Sequence, residues 1–204
     1  MKRLFFVIMS VLTAFSLAAC SGGNSGSSSE SVTKAPPSSA VADSGNKTLV
    51  VYFSVTGSTK RAAEYIAKAV GGDLFELTPE EPYTVDDLNY NDKNSRVSKE
   101  HEDVSKRDVP LVKATPDNFQ EYDTVYIGYP IWWGVAAWPV NSFVSGNDFS
   151  GKTVIPFCTS ASSGLGNSAE ELKQAAKTGN WLDGKRFSSG VSEDEITKWI
   201  KEIN

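Results

Sequence analysis

The chain has 204 residues, 40% of them hydrophobic and 22% charged, and 25 acidic side chains against 20 basic ones give a formal charge of −5. A surface of that sign argues against nucleic acid as a partner. Two cysteines, Cys20 and Cys158, are too few for a disulfide-stapled scaffold, so stability must come from a packed core.

Lys2 and Arg3 precede an uncharged stretch, Leu4 to Leu17, whose 14 residues fall short of the ~20 that a membrane-spanning helix needs. Residues 1–19 therefore read as an export signal. It closes on Leu17-Ala18-Ala19-Cys20, which resembles the lipobox of bacterial lipoproteins. That resemblance implies diacylation of Cys20 and an extracytoplasmic protein lipid-anchored to a bacterial membrane; the alternative is a plain secretory signal with an incidental cysteine. Loss of Lys2 and Arg3 with the signal takes the formal charge from −5 to −7 and, with Cys20 lipidated, leaves Cys158 without a partner. Residues 20–46 then form a tether: from Ser21 to Asn46 there are nine serines and four glycines, too little apolar surface to offset the entropy of ordering. A flexible coil of that length spans roughly 28 Å.

Residues 47–204 are long enough for one domain with one core. They open with KTLVVYF, a β-branched run that reads as a strand buried on both faces. The period then becomes helical at Ala62, Ala63, Ile66, Ala67 and Val70, and Gly71-Gly72 stops the helix. A second strand, DLFELT, ends at Pro79. Residues 80–108 are dominated by charge, Asp and Asn; a helix between about Asp92 and Lys106 would put Val97, His101 and Val104 on one stripe. His101, the only histidine, is expected as a partly buried helix residue, since no cysteine or second histidine accompanies it as a metal ligand.

YDTVYIGYP is a third strand and TVIPFCT a fourth, with a short helix between them starting around Pro139. Ser168 with Glu171, and Ser192 with Glu195, have capping-box spacing at the heads of two further helices. The last helix carries a core stripe at Ile196, Trp199, Ile200 and Ile203, and WLDGKRFSS before it reads as a fifth strand. Alternating elements with continuous buried strands imply an α/β fold, a doubly wound parallel sheet with helices on both faces. Ligands of such sheets bind beyond the carboxyl ends of the strands, which singles out three loops.

The first, Ser54 to Thr59, offers hydroxyls from Ser54, Thr56, Ser58 and Thr59, a glycine at Gly57 and the free amides of a helix start. Such a loop can hold a phosphate dianion, although clusters of this kind also simply cap helices. In the second, Tyr129 to Gly134, large aromatics beyond a buried strand need a cover of protein or of a flat ligand, and one of Trp132 and Trp133 is expected to close the core's upper edge. The third, Thr159 to Gly166, is rich in small residues and N–H donors and suits the polar edge of a heteroaromatic ring, or serves as a flexible connection.

FSVTGST, GYPIWWG and PFCTSASSGLG, in that order and on those elements, resemble the flavodoxin-like family. The resemblance implies five parallel strands in the order 2-1-3-4-5 and bound FMN, an arrangement for which flavodoxin is itself a standard example. It would assign Ser54, Thr56, Gly57, Ser58 and Thr59 to the FMN phosphate, and Pro130, Ile131, Trp132, Trp133 and Gly134 to the border of the isoalloxazine. Ser160, Ser163, Gly164 and Gly166 would line the ring's polar side. Val55, Ser58 and Ser160-Ala161 depart from the commonest family residues. The function implied is electron transfer through FMN, with a redox protein or a membrane donor or acceptor as partner. The alternatives are an FMN-dependent NAD(P)H or quinone oxidoreductase, and a flavodoxin-fold binding module that has lost FMN.

Overall fold

A computed structural model describes residues 47–203. The export signal, Cys20 and the tether expected over residues 1–46 lie outside the described residues. In chain order the domain contains β1 (Thr48–Tyr52), α1 (Ser58–Val70), β2 (Asp73–Glu76), α2 (Arg96–Glu102), β3 (Thr124–Trp132) and β4 (Val135–Ala136). It continues with α3 (Pro139–Gly146), β5 (Thr153–Thr159), α4 (Ser168–Ala176), β6 (Asn180–Trp181), β7 (Lys185–Phe187) and α5 (Glu193–Ile203). The sheet runs β2-β1-β3-β5-β6, with β7 also on β5, and every pair along it is parallel. That is the expected 2-1-3-4-5 order, with the fifth strand broken in two.

The break has a local cause. Val154 pairs with Trp181 and Phe157 with Lys185, so four steps on the edge strand oppose three on β5. Pro156 sits in that interval and has no N–H for the ladder, which is where an edge strand bulges.

Alternation along the strands sorts the core into two layers. Val50, Tyr52, Tyr126 and Phe157 face Ala62, Ala63 and Ile66 of α1 and Ile196, Trp199 and Ile200 of α5. Val51, Val125, Ile127 and Val154 point the other way, toward the layer of Val140 and Phe143 from α3 and Leu172 from α4. Each aliphatic side chain buried this way contributes roughly 2 kcal/mol. Small alanines let α1 lie close to the sheet, and Gly71 ends it in the left-handed conformation at φ 65°, its amide donating to Ala67 O.

Two local expectations change. Asp103 leaves the helical region at φ −120° and ψ 98° and caps a 3-10 turn, Val104–Arg107, by accepting from Ser105 N. α2 therefore stops at Glu102, and Val104 is 67% exposed instead of extending the stripe of Val97 and His101. At α4 the capping box does not form: the N-cap is Asn167, and Ser168 is fully buried. Its Oγ donates to Leu165 O at 2.6 Å and lies 3.1 Å from the buried Tyr129 hydroxyl, which needs a partner more than an exposed helix end does. At α5 the expected cap holds, Glu195 N donating to Ser192 Oγ at 3.3 Å.

Candidate functional site

The carboxyl ends of β1, β3 and β5 open into one cleft with two connecting lobes of about 240 and 340 Å³. Together they have the size of a cofactor site. Leu88, Tyr90, Ile131, Trp132, Ser160 and Ala161 border both lobes.

The smaller lobe lies against the start of α1. Ser54, Thr56, Ser58 and Thr59 line it with Pro130, and among the described residues no acidic or basic side chain borders it. Among the described residues no side chain caps α1, and its first turn holds no acid, so the first amides stay open and carry the positive end of the helix dipole. Gly57 makes this entry possible at φ 85°, in the left-handed region, with its own amide donating to Ser54 Oγ at 3.2 Å. Thr59 is buried, its Oγ1 2.7 Å from Thr159 Oγ1, so one of those two hydroxyls serves the other. Lys60 reaches toward Glu76 at 3.9 Å and Arg61 donates to Ser189 O at 3.3 Å, each committed to a partner other than the loop's hydroxyls.

The larger lobe is walled by aromatics, and here the backbone differs from the loop that the sequence suggests. β3 continues through Pro130, Ile131 and Trp132, then turns back into β4 with Trp132 opposite Val135. Trp133 and Gly134 form the two-residue turn of this hairpin, both with positive φ, 47° and 84°. A tryptophan in the left-handed region costs about 1–2 kcal/mol. Trp132 is the tryptophan that closes the core's upper edge, its ring meeting Tyr83 at 5.2 Å, Trp138 at 5.4 Å and Phe53 at 5.7 Å, all edge-on. Trp133 stays 41% exposed and stacks on His101, centroids 4.4 Å apart and planes within 9°. Arg107 Nη2 lies 3.3 Å from His101 Nδ1, and because a guanidinium only donates, Nδ1 is the acceptor.

Ser160 and Ser163 line the larger lobe, as the sequence suggests. Gly57, Gly134, Gly164 and Gly166 border neither lobe and act on loop shape: a Cβ on Gly166, whose φ is 57°, would lie 3.5 Å from Gly134 O. Sequence reasoning missed Leu88 and Tyr90, the latter 71% exposed at the mouth. Both lie near the 3-10 turn Asp86–Leu88, where Thr84 N donates to Asp87 Oδ2 at 2.8 Å and Asp87 N donates back to Thr84 Oγ1 at 3.2 Å. That reciprocal Thr-x-x-Asp spacing was the available signal. It also missed Arg186, which braces the third loop.

Cys158, at the end of β5, is buried, and burial pushes its thiol up to about 12, so it stays protonated at neutral pH. Among the described residues no group of His, Cys, Asp and Glu is placed to hold a metal ion. A larger cavity of about 580 Å³ beside α2 mixes Glu80, Asp108, Arg96 and Lys99, a lining suited neither to a phosphate dianion nor to a flat ring.

The flavodoxin family profile matches residues 47–203. None of the curated proteins matches the chain significantly. Among solved structures, a protein of Bacteroides uniformis given the provisional name of flavoprotein is 46% identical over 77% of this chain and 99% of its own, with a TM-score of 0.71. A second, from Bacteroides eggerthii and named in the same way, is 45% identical over 77% of this chain and 97% of its own, with a TM-score of 0.69. A flavoprotein of Lactobacillus acidophilus solved in complex with FMN is 22% identical over 76% of this chain and 99% of its own, with a TM-score of 0.55, a likeness of fold. With the family profile spanning the whole described domain, the chain belongs to the flavodoxin family.

Proposed function

We propose that the domain binds FMN noncovalently in this cleft and carries electrons between redox partners, held outside the cytoplasm on a membrane by lipidated Cys20. The observation that carries the cofactor is the pairing of an uncharged, hydroxyl-lined lobe at the open N-terminus of α1 with an aromatic lobe beside it. A dianion fits the first because amides and hydroxyls donate there and no carboxylate opposes them. A flat ring fits the second against Trp132 and Ile131. Family membership and the FMN complex of the Lactobacillus acidophilus relative support the same group.

FMN, when bound, supplies the redox chemistry, and the chain's residues bind, orient and shield it. Among the described residues the Thr56 and Ser58 hydroxyls have no hydrogen-bond partner, whereas Ser54 accepts from Gly57 N and Thr59 shares with Thr159. Thr56 and Ser58 are therefore the residues that would donate fully to the phosphate. Ser160 to Ser163 would border the ring's polar edge. Carrier function is favoured over turnover because export, as read from the signal and lipobox, would keep the domain away from the main NAD(P)H pools. The tether and lipobox supply the membrane part of the reading from sequence.

Anaerobic titration of the purified protein with FMN, followed by stepwise reduction, tests this. Thr56→Ala should weaken FMN binding about tenfold or more, the worth of a hydrogen bond to a charged oxygen. A protein that takes up no FMN overturns the cofactor and leaves a binding module. Rapid reduction of the bound flavin by NAD(P)H alone replaces the carrier with an oxidoreductase.

A further inference from the structure

Within the third loop, the Ser160-Ala161 segment is braced by a side chain from the neighbouring edge strand. Arg186, on the edge strand β7, donates from Nε to Ser160 Oγ at 3.1 Å and from Nη2 to Ser160 O at 2.8 Å and Ala161 O at 3.0 Å. The backbone adds Ser160 N to Phe187 O at 3.2 Å, and Ser160 Oγ donates within the loop to Ser163 O. Among the described residues no other side chain from outside the loop hydrogen-bonds Ser160 to Ser163, and Ser160 and Ala161 are the residues of this loop that border both lobes. The guanidinium's fixed fork presents Nε and Nη2 to the three acceptors at once, a geometry that the single nitrogen of a lysine does not reproduce.

Arg186 is half-buried and, among the described residues, forms no ion pair, whereas Lys47, Lys60, Lys68, Arg96, Lys106, Lys113 and Lys173 each have a carboxylate within 4 Å. An unpaired cation thus lies one residue behind the cleft wall of a net acidic chain. Part-burial leaves its field less screened than that of a surface lysine.

We propose that Arg186 is the positioning residue for the wall shared by the two lobes, and that its charge favours the reduced, more negative form of FMN bound against that wall. The charge effect rests on the FMN reading above; the hold on the loop does not. The two roles separate by substitution: Arg186→Lys keeps the charge and loses the fork, while Arg186→Gln loses both.

Amide hydrogen exchange on the FMN-free protein reads the first role. Ser160 to Ser163 should exchange about tenfold faster in both variants, with core amides of β1 and β3 unchanged. The potential of the FMN-loaded protein reads the second. In Arg186→Gln, reduced FMN should bind about tenfold more weakly relative to oxidised FMN, a fall of about 30 mV for two electrons, while Arg186→Lys stays near the wild type. Unchanged exchange in both variants, or an unchanged potential in Arg186→Gln, overturns the proposal. A wild type that takes up no FMN overturns the functional reading and the charge effect with it, and exchange still decides the hold on the loop.

Discussion

Gly128 and Phe157 sit opposite each other in the register of β3 and β5, and the pair shows how one residue type makes room for another. A Cβ on Gly128 would lie 2.2 Å from Phe157 Cζ, inside the ring's own volume, and Phe157 is fully buried. Gly128→Ala should therefore cost about 1–3 kcal/mol or more, as overpacking does, in urea unfolding. The cause is checked with Phe157→Leu: the double variant should be less destabilised than the two single effects together, and simple additivity would rule the clash out. Cys158 acts through its proton. Its thiol is raised by burial from 9.0 to about 12, so its contribution to stability is complete below about pH 9 and is lost as pH rises toward 12. Between pH 7 and 10 the wild type should lose about 1–2 kcal/mol more than Cys158→Ala, and equal losses would refute the assignment. Tyr126, raised by burial to about 12, adds the same slope to both proteins and cancels in the comparison.

Among the elements, α5 announces itself most clearly, because a stripe of large apolar residues at helical spacing has few places to go. Trp199 meets Phe187 at 5.2 Å and Tyr126 at 6.0 Å, both edge-on, and closes the layer over α1. Trp199→Ala should cost about 3–5 kcal/mol in denaturant unfolding, and a loss below about 1 kcal/mol would show that the helix is not a structural seal. β1, β3 and β5 were as plain as α5, since continuous β-branched runs are strands buried on both faces. The hairpin of β3 and β4 was hidden because Trp133-Gly134 is not the Asn-Gly or Asp-Gly signature of its turn. α2 was half visible: Val97 gave its buried side, but where it stops depends on Asp103 capping the following turn. Its seat is tertiary, with Glu100 accepting from Tyr83 Oη at 2.8 Å and Arg96 Nε at 2.7 Å, and Arg96 donating to Glu81 O.

At the scale of the molecule, a parallel sheet aligns the carboxyl ends of its strands, and that is why three loops far apart in sequence make one cleft. The hydroxyl pair Thr59–Thr159 joins two of those loops across 100 residues. Composition alone marked the first and third loops, as small polar residues following apolar runs. The sequence by itself determined β1, β2, β3 and β5, the covering of both faces of the sheet by helices, the hydroxyl-rich first loop and the aromatic second one. These are local properties, set by periodicity, turn chemistry and side-chain size. Only the tertiary structure decided that Trp132 faces inward while Trp133 stacks on His101, that Tyr90 stands at the mouth, and that Arg186 holds the third loop. Periodicity reports that a face is buried; which groups meet across the fold, and so which charge stands behind the site, depends on contacts that no local pattern encodes.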